Sequence, residues 1–226
     1  IFSIQFTVSA FLMTDFKSFF THLCPIEEDN WRAFEKLFKP MQLKKGEYFI
    51  EAGEQARDIA FLEEGIIRAF YRNEKAQEYN KHFFLNPCFI GGYSSLITKQ
   101  TNYINQEALS DCRLLVANYA EILQLYEKAP DIERGARILA EQFFVQKEQR
   151  EVEIVLLDAE ERYLKFQKEF PQLEQNIAQY HIASYLGISP TQLSRIRRKL
   201  AGKWFLYLCK WNSLRTGRLL FFEWNQ

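Results

Sequence analysis

From Leu43 to Ala117 the chain falls into short strand-like apolar runs separated by turn residues. The runs are LKKGEYFI (43–50), DIAFLEEG (58–65), IIRAFYR (66–72), EYNKHFF (78–84) and EALSDCRLLVA (107–117), with EAGE and its Gly53 after the first. Short strands recurring at intervals of roughly 8–12 residues predict an antiparallel sandwich or roll. Glu64-Gly65, between two apolar runs, reads as a turn. Short helices are expected before the roll, at about 15–39, and after it in YAEILQLYEK (119–128).

At Pro130-Asp131 the pattern changes to a helical period, with acidic residues favoured in the first turn. Apolar positions 132, 136, 139, 143, 152, 155 and 156 fall mostly on one stripe of a long helix over 131–157. Such a stripe can cover its own domain or pair with a second copy; the polar interval 146–151 weakens a strict coiled coil. Asp158 then suits an N-cap, with Glu161 as its capping-box partner, and Phe170-Pro171 closes that helix.

The segment NIAQYHIASYLGISPTQLSRIRRKLAG (176–202) is the most informative. It parses as a helix through Leu186, a turn at Gly187-Ile188-Ser189 and a second helix to about Leu200, a helix–turn–helix. Gly187 can take positive φ, Ser189 can cap the second helix, and Pro190 suits its first position. Leu193, Ile196 and Leu200 form an apolar stripe facing Ile182, Ala183 and Leu186. Thr191, Arg195 and Arg198 point the other way, flanked by Gln192, Ser194 and Lys199. Arg and Gln are shaped for bidentate contacts to guanine and adenine edges. Arg197, Arg198 and Lys199, at the far end, suit phosphate contacts. The candidate DNA-contacting set is therefore Ser189, Thr191, Gln192, Ser194, Arg195, Arg197, Arg198 and Lys199. A solvated basic face is the plainer alternative.

Charge sharpens this picture. The 226 residues balance 29 basic against 29 acidic side chains. Residues 177–226 nevertheless hold eight basic residues and one acid, leaving residues 1–176 with 21 basic and 28 acidic. A basic end on an acidic body points to a polyanionic partner. At 47% hydrophobic with nine Gly and six Pro, disorder and low complexity are excluded. No apolar run reaches the ~20 residues of a bilayer span, so no membrane role is expected. Cysteines 24, 88, 112 and 209 share no short spacing and the three histidines lie far apart, so no metal site is expected.

HIASYLGISPTQLSRIRRKL closely resembles the helix–turn–helix of Crp/Fnr-type bacterial transcription regulators, and the resemblance extends over about residues 15–202. LKKGEYFIEAGE and AFLEEGIIRAFY resemble the family's cyclic-nucleotide-binding-type β-roll, and 131–157 occupies the place of its dimerisation helix. The fold class expected is α+β: an N-terminal antiparallel β-roll with flanking helices (13–130), a long dimerisation helix (131–157) and a C-terminal helix–turn–helix domain (158–202). Residues 1–12 are expected to be a non-native or disordered leader, with Met13 the natural start. Residues 203–226 form either a wing-like hairpin or a non-native tail. The resemblance implies a homodimer bound to near-palindromic double-stranded DNA, with RNA polymerase as a further partner; with no secretory signal evident, the cytoplasm is the expected compartment. Base reading then falls to Thr191, Gln192 and Arg195, since Pro190 cannot hydrogen-bond a base.

The ligand face departs from the family. Its cyclic-AMP-binding members carry a Gly-Glu pair, whose Glu holds the ribose, and an Arg-Ser/Thr pair, whose Arg neutralises the cyclic phosphate. Here Gly92 stands at the Glu position and Asn102-Tyr103 at the Arg-Ser position. Without that cation nothing offsets desolvation of the phosphate. The degenerate pocket comprises Gly91, Gly92, Tyr93, Ser94, Ser95, Asn102 and Tyr103. Cyclic AMP is not expected there, no cofactor is expected, and no other effector is assigned. An enzyme on a cupin-like roll is the alternative from another class, but this roll holds one histidine, His82, where a cupin site needs several ligands. A non-DNA-binding interaction protein is a third.

Overall fold

A computed structural model describes residues 15–202, so the expectations for 1–12, Met13 and 203–226 lie outside the described residues. Two short helices come first, α1 (Phe16–Thr21) and α2 (Glu28–Glu35). Eight strands follow: β1 (Lys39–Leu43), β2 (Tyr48–Ile50), β3 (Asp58–Glu64), β4 (Ile66–Arg72), β5 (Glu78–Leu85), β6 (Cys88–Gly91), β7 (Asn105–Ala108) and β8 (Cys112–Asn118). Helix α3 (Tyr93–Thr98) interrupts them between β6 and β7. After the strands come α4 (Tyr119–Tyr126), α5 (Pro130–Leu156), α6 (Ala159–Glu169), α7 (Leu173–Asn176) and α8 (Gln179–Leu186). A further helix, α9, occupies 190–202. No helix among the described residues is long and apolar enough to cross a membrane.

The strands form two four-stranded antiparallel sheets, ordered β1-β8-β3-β6 and β2-β7-β4-β5. Between them lies a core of Leu43, Ala60, Leu62, Ile67, Ile90, Ala108 and Leu114. The outer face of the first sheet presents Phe61 and Phe89 to an aromatic cluster of Phe16, Phe20, Trp31, Phe34 and Phe38, closed by Ile122 and Ile132. The outer face of the second presents Phe83 to Tyr163, Phe166, Phe170 and Tyr185 of the C-terminal helices. Both faces of each sheet are therefore buried at their centres. That is why these strands read as continuous apolar runs, without strict alternation.

Glu64-Gly65 is the expected turn, and it joins the two sheets: β3 and β4 do not pair, and the chain passes from one sheet to the other there. The run 107–117 likewise breaks at Leu109-Ser110-Asp111 into β7 and β8, one in each sheet. LKKGEYFI also splits, with Gly46 at φ +90° between β1 and β2. These corners let short apolar runs wrap one core.

The C-terminal signals behave as the local chemistry dictates. Asp158 accepts from Glu161 N at 2.8 Å while the Glu161 carboxylate accepts from Asp158 N at 2.9 Å, the reciprocal capping box of α6. Along α5 the stripe is not used uniformly. Ile132 is buried, 136, 139 and 143 are half-buried, and Val152, Val155 and Leu156 are exposed, together with Phe144 and Ile154. The buried position in the last turns of α5 is instead Glu153, paired with Arg150 and Lys165.

Gly65 holds φ +112°, and a Cβ there would lie 2.5 Å from Cys112 Sγ and 2.7 Å from the Asp111 carbonyl. Gly65→Ala is expected to cost about 3 kcal/mol or more through strain and overlap. Chemical denaturation checks this; an unchanged midpoint would mean that the corner relaxes freely.

Candidate nucleic-acid interface

The turn between α8 and α9 is built from backbone requirements. Gly187 adopts φ +69°, and Ile188 N donates back to the Ala183 carbonyl at 3.0 Å, ending α8 in a left-handed cap. Ser189 Oγ accepts from Gln192 N at 3.2 Å, and the Gln192 side-chain carbonyl accepts from Ser189 N at 2.9 Å. This is a second reciprocal cap, legible in the sequence as Ser-x-x-Gln but missed there. Gln192 thus contributes a side-chain oxygen to its own helix start. Leu193 is fully buried and Ile196 and Leu200 are partly buried against Ile182, Ala183 and Leu186, which fixes the roll of α9 about its axis.

The opposite face is open. Ser189, Thr191, Gln192, Ser194, Arg195, Arg198 and Lys199 are exposed, whereas Arg197 is half-buried. The cations on α9 differ in what holds them. Arg197 donates to Glu174 at 2.5 Å and to Tyr163 Oη at 3.1 Å, and Gln167 donates to the same two partners. The Glu174 carboxyl is held below the usual carboxylate range by the hydrogen bonds from Gln167, Tyr163 and Arg197, which overcome the upward push of burial. Lys199 pairs with Glu160 of α6 at 2.5 Å. Arg195 and Arg198 make no ion pair among the described residues, so both guanidinium groups face solvent from one side of α9.

The unit rests on the second sheet through polar contacts as well as aromatic ones. Arg68 of β4 is 4% exposed. It donates to Glu107 at 2.8 Å, Glu78 at 2.6 Å, Asn80 at 3.3 Å and His181 Nδ1 at 3.2 Å, with the Phe70 ring 3.7 Å from its guanidinium carbon. Since a guanidinium only donates, His181 Nδ1 is the acceptor, which puts the imidazole proton on Nε2. Burial, aided by the Arg68 charge and opposed by Glu78, pushes His181 down to about 4.

The residues of the ligand face divide into two groups. Gly92, Ser95 and Asn102 are buried; Tyr93, Ser94 and Tyr103 are exposed, and Gly91 is half-buried at the end of β6. The buried polar pair is fully occupied. Ser95 Oγ accepts from Ala56 N at 3.0 Å and donates to the Gln100 carbonyl. The Asn102 amide donates to the Glu51 and Ile104 carbonyls, while its backbone exchanges 2.8 Å bonds with Gly53 N and the Glu54 carbonyl. Asn102 therefore pins the 51–54 loop. A Cβ on Gly92 would approach Ala56 Cβ at 3.0 Å, Ile50 Cδ1 at 3.1 Å and Asn102 Oδ1 at 3.2 Å. Sequence reasoning also missed Gln106, 1% exposed, whose amide nitrogen donates to the Gly91 carbonyl and whose oxygen has no hydrogen-bond partner among the described residues. His82 packs its ring on Phe84 and Phe170.

Residues 40–129 match the cyclic nucleotide-binding domain family. No curated protein matches the chain by sequence. Among solved structures, the c-di-GMP-responsive global regulator CLP of Xanthomonas campestris is similar at 16% identity and TM-score 0.63, over 78% of this chain and 93% of that one. FixK2 of Bradyrhizobium japonicum is similar at 14% identity and TM-score 0.64, over 74% and 85%. A Crp/Fnr-family transcriptional regulator from Eubacterium rectale is similar at 13% identity and TM-score 0.63, over 80% and 88%. These likenesses are of fold.

Because His181 is neutral when folded and its folded value lies below the ordinary 6.5, the unfolded chain binds the extra proton between those values. Stability is expected to fall as pH drops from about 6.5 to about 4. The hydrogen bonds and charges of Arg68 and Arg72 hold Glu78 below its ordinary 4.5, so its contribution is lost lower still. Burial, aided by the charges of Lys81 and Arg150, pushes His82 down to about 4 as well, so His181→Asn should reduce the slope without abolishing it; urea midpoints across this range check both.

Proposed function

Given a cyclic nucleotide-binding domain over residues 40–129 in a chain with the fold of Crp/Fnr-family transcription regulators, we propose that this protein is a dimeric, sequence-specific DNA-binding regulator working in the cytoplasm without cyclic AMP. The observation that carries the reading is the two-sided α9: Leu193 buried behind it, Thr191, Ser194, Arg195 and Arg198 in solvent before it. Thr191 and Arg195 read base edges, together with the amide nitrogen of Gln192, whose oxygen serves the cap. Arg198 contacts phosphate, and Ser189 and Ser194 line the same edge. Arg197 and Lys199, held by Glu174 and Glu160, reach phosphate only by exchanging those partners.

The exposed apolar end of α5, with Phe144, Val152, Val155 and Leu156, fits a second copy of the chain and so the expected homodimer. Such a dimer presents two α9 helices to half-sites about one helical turn apart on a near-palindrome. RNA polymerase is the expected further partner, and no catalytic step is assigned.

The ligand face does not fit a cyclic phosphate. Ser95 and Asn102 spend their polar atoms on the backbone, a side chain at Gly92 would crowd Ala56, Ile50 and Asn102, and Arg68, the one buried cation among the described residues, faces α8. Calorimetry is expected to find no millimolar-or-better affinity for cyclic AMP; micromolar binding would overturn this part.

Selection of duplexes from a random DNA pool, with no nucleotide added, tests the whole reading. Enrichment of a two-fold symmetric site is expected, and an absence of duplex binding even at low salt would sink it. On the enriched site, Arg195→Ala should remove roughly 1–3 kcal/mol of sequence discrimination, whereas Arg198→Ala should weaken all sequences alike and reduce the salt slope.

A further inference from the structure

The covalent route from the roll to the helix–turn–helix unit is short, running from α5 through Leu157-Asp158 into α6. A second, non-covalent route joins them. β5 is an edge strand, so its outward N–H and C=O groups need a cover. Ser184 of α8 supplies it: its hydroxyl accepts from Asn80 N at 3.0 Å and donates to the Glu78 carbonyl at 2.8 Å. One turn away, the Asn80 side chain donates to the His181 carbonyl at 2.9 Å, and His181 Nδ1 accepts from Arg68. Residues of β4 and β5 thus grip a single turn of α8.

Burying a guanidinium costs several kcal/mol unless its donors are satisfied. Arg68 meets that condition with two carboxylates, an amide, an imidazole and the Phe70 face, and the imidazole among these comes from α8. The grip lies away from the reading face, because Thr191, Arg195 and Arg198 stay exposed while it is made.

We propose that Arg68 and Ser184 are positioning residues that latch the helix–turn–helix unit onto the second sheet, so that the sheet, and not α5 alone, sets the angle at which α9 meets a duplex. The proposal rests on the regulator reading above. In a two-fold dimer, reading helices that swing independently lose the fixed spacing that two half-sites demand. Phosphate attraction, which needs no fixed angle, survives.

The test uses the full chain carrying Ser184→Ala, or Arg68→Met with Glu107→Gln. The double change removes the cation together with its nearest anion, leaving no lone carboxylate at position 107, while Glu78 keeps Arg72. Without DNA, amide hydrogen exchange should quicken roughly tenfold in both β5 and α8 while β3 and β8 keep their rates. Unchanged exchange in β5 and α8 would overturn the latch, and so would an equal rise across β3 and β8.

With DNA, the ratio of affinities for the enriched site and an unrelated duplex should fall roughly tenfold, with the unrelated duplex bound as before. An unchanged ratio overturns the positioning role. If the unaltered chain binds no duplex, the regulator reading fails by itself and the exchange data still decide the latch.

Discussion

The fold turns on a single buried positive charge. Arg68 sits in the middle of a strand whose neighbours point apolar side chains to the other face, in a place where an unpaired cation would be prohibitive. Its solution draws carboxylates from the adjacent strands and a neutral imidazole from a helix 113 residues away. The sheet supplies both carboxylates and the Asn80 amide to Arg68, and the helix adds the imidazole. The aromatic packing of Phe83 against Phe166, Phe170 and Tyr185 supplies the apolar area around it, and the polar cluster supplies the register. Non-directional burial holds the two parts together, while directional bonds fix how they sit.

The same division recurs in α9. Leu193 and Ile196 anchor the helix without specifying what it faces. Gly187 and the Ser189–Gln192 cap set where it begins, and Tyr163, Glu174 and Arg197 tie its inner flank to α6 and α7. What remains outward is a narrow strip centred on Arg195 and Arg198. A run of four basic residues within five positions therefore divides by environment into two held and two open side chains, although composition treats them alike.

Much of this was legible in the sequence because its signals are local. Pro130, the Asp158–Glu161 cap, Gly187 and Ser189 mark boundaries through backbone chemistry that tertiary packing does not override. The positions of β3, β4 and β5 were legible as apolar runs between turn residues, whereas β6 was not singled out and β1 lies ahead of the run that opens at Leu43. The sheet assignment was not legible: a corner such as Glu64-Gly65 and a hairpin share one turn signal, and strands buried on both faces lose the alternation that would say which side is inward. At the ligand face, the departure at Gly92 and Asn102 could be read. That Asn102 pins the 51–54 loop could not, because its partners come from another strand connection. Arg68 escaped notice altogether, for nothing in IIRAFYR says that α8 will cover it.

The cover over β5 also has a temporal side. Asn80 and Ser184 are 104 residues apart, so a ribosome working at roughly 5–20 residues per second leaves the strand edge bare for about 5–20 s after making it. During that interval the nascent roll displays an open row of backbone donors and acceptors, the kind of surface that recruits foreign strands. The hazard thus lasts until α8 has been synthesised, and a message truncated after α5 would leave it permanent.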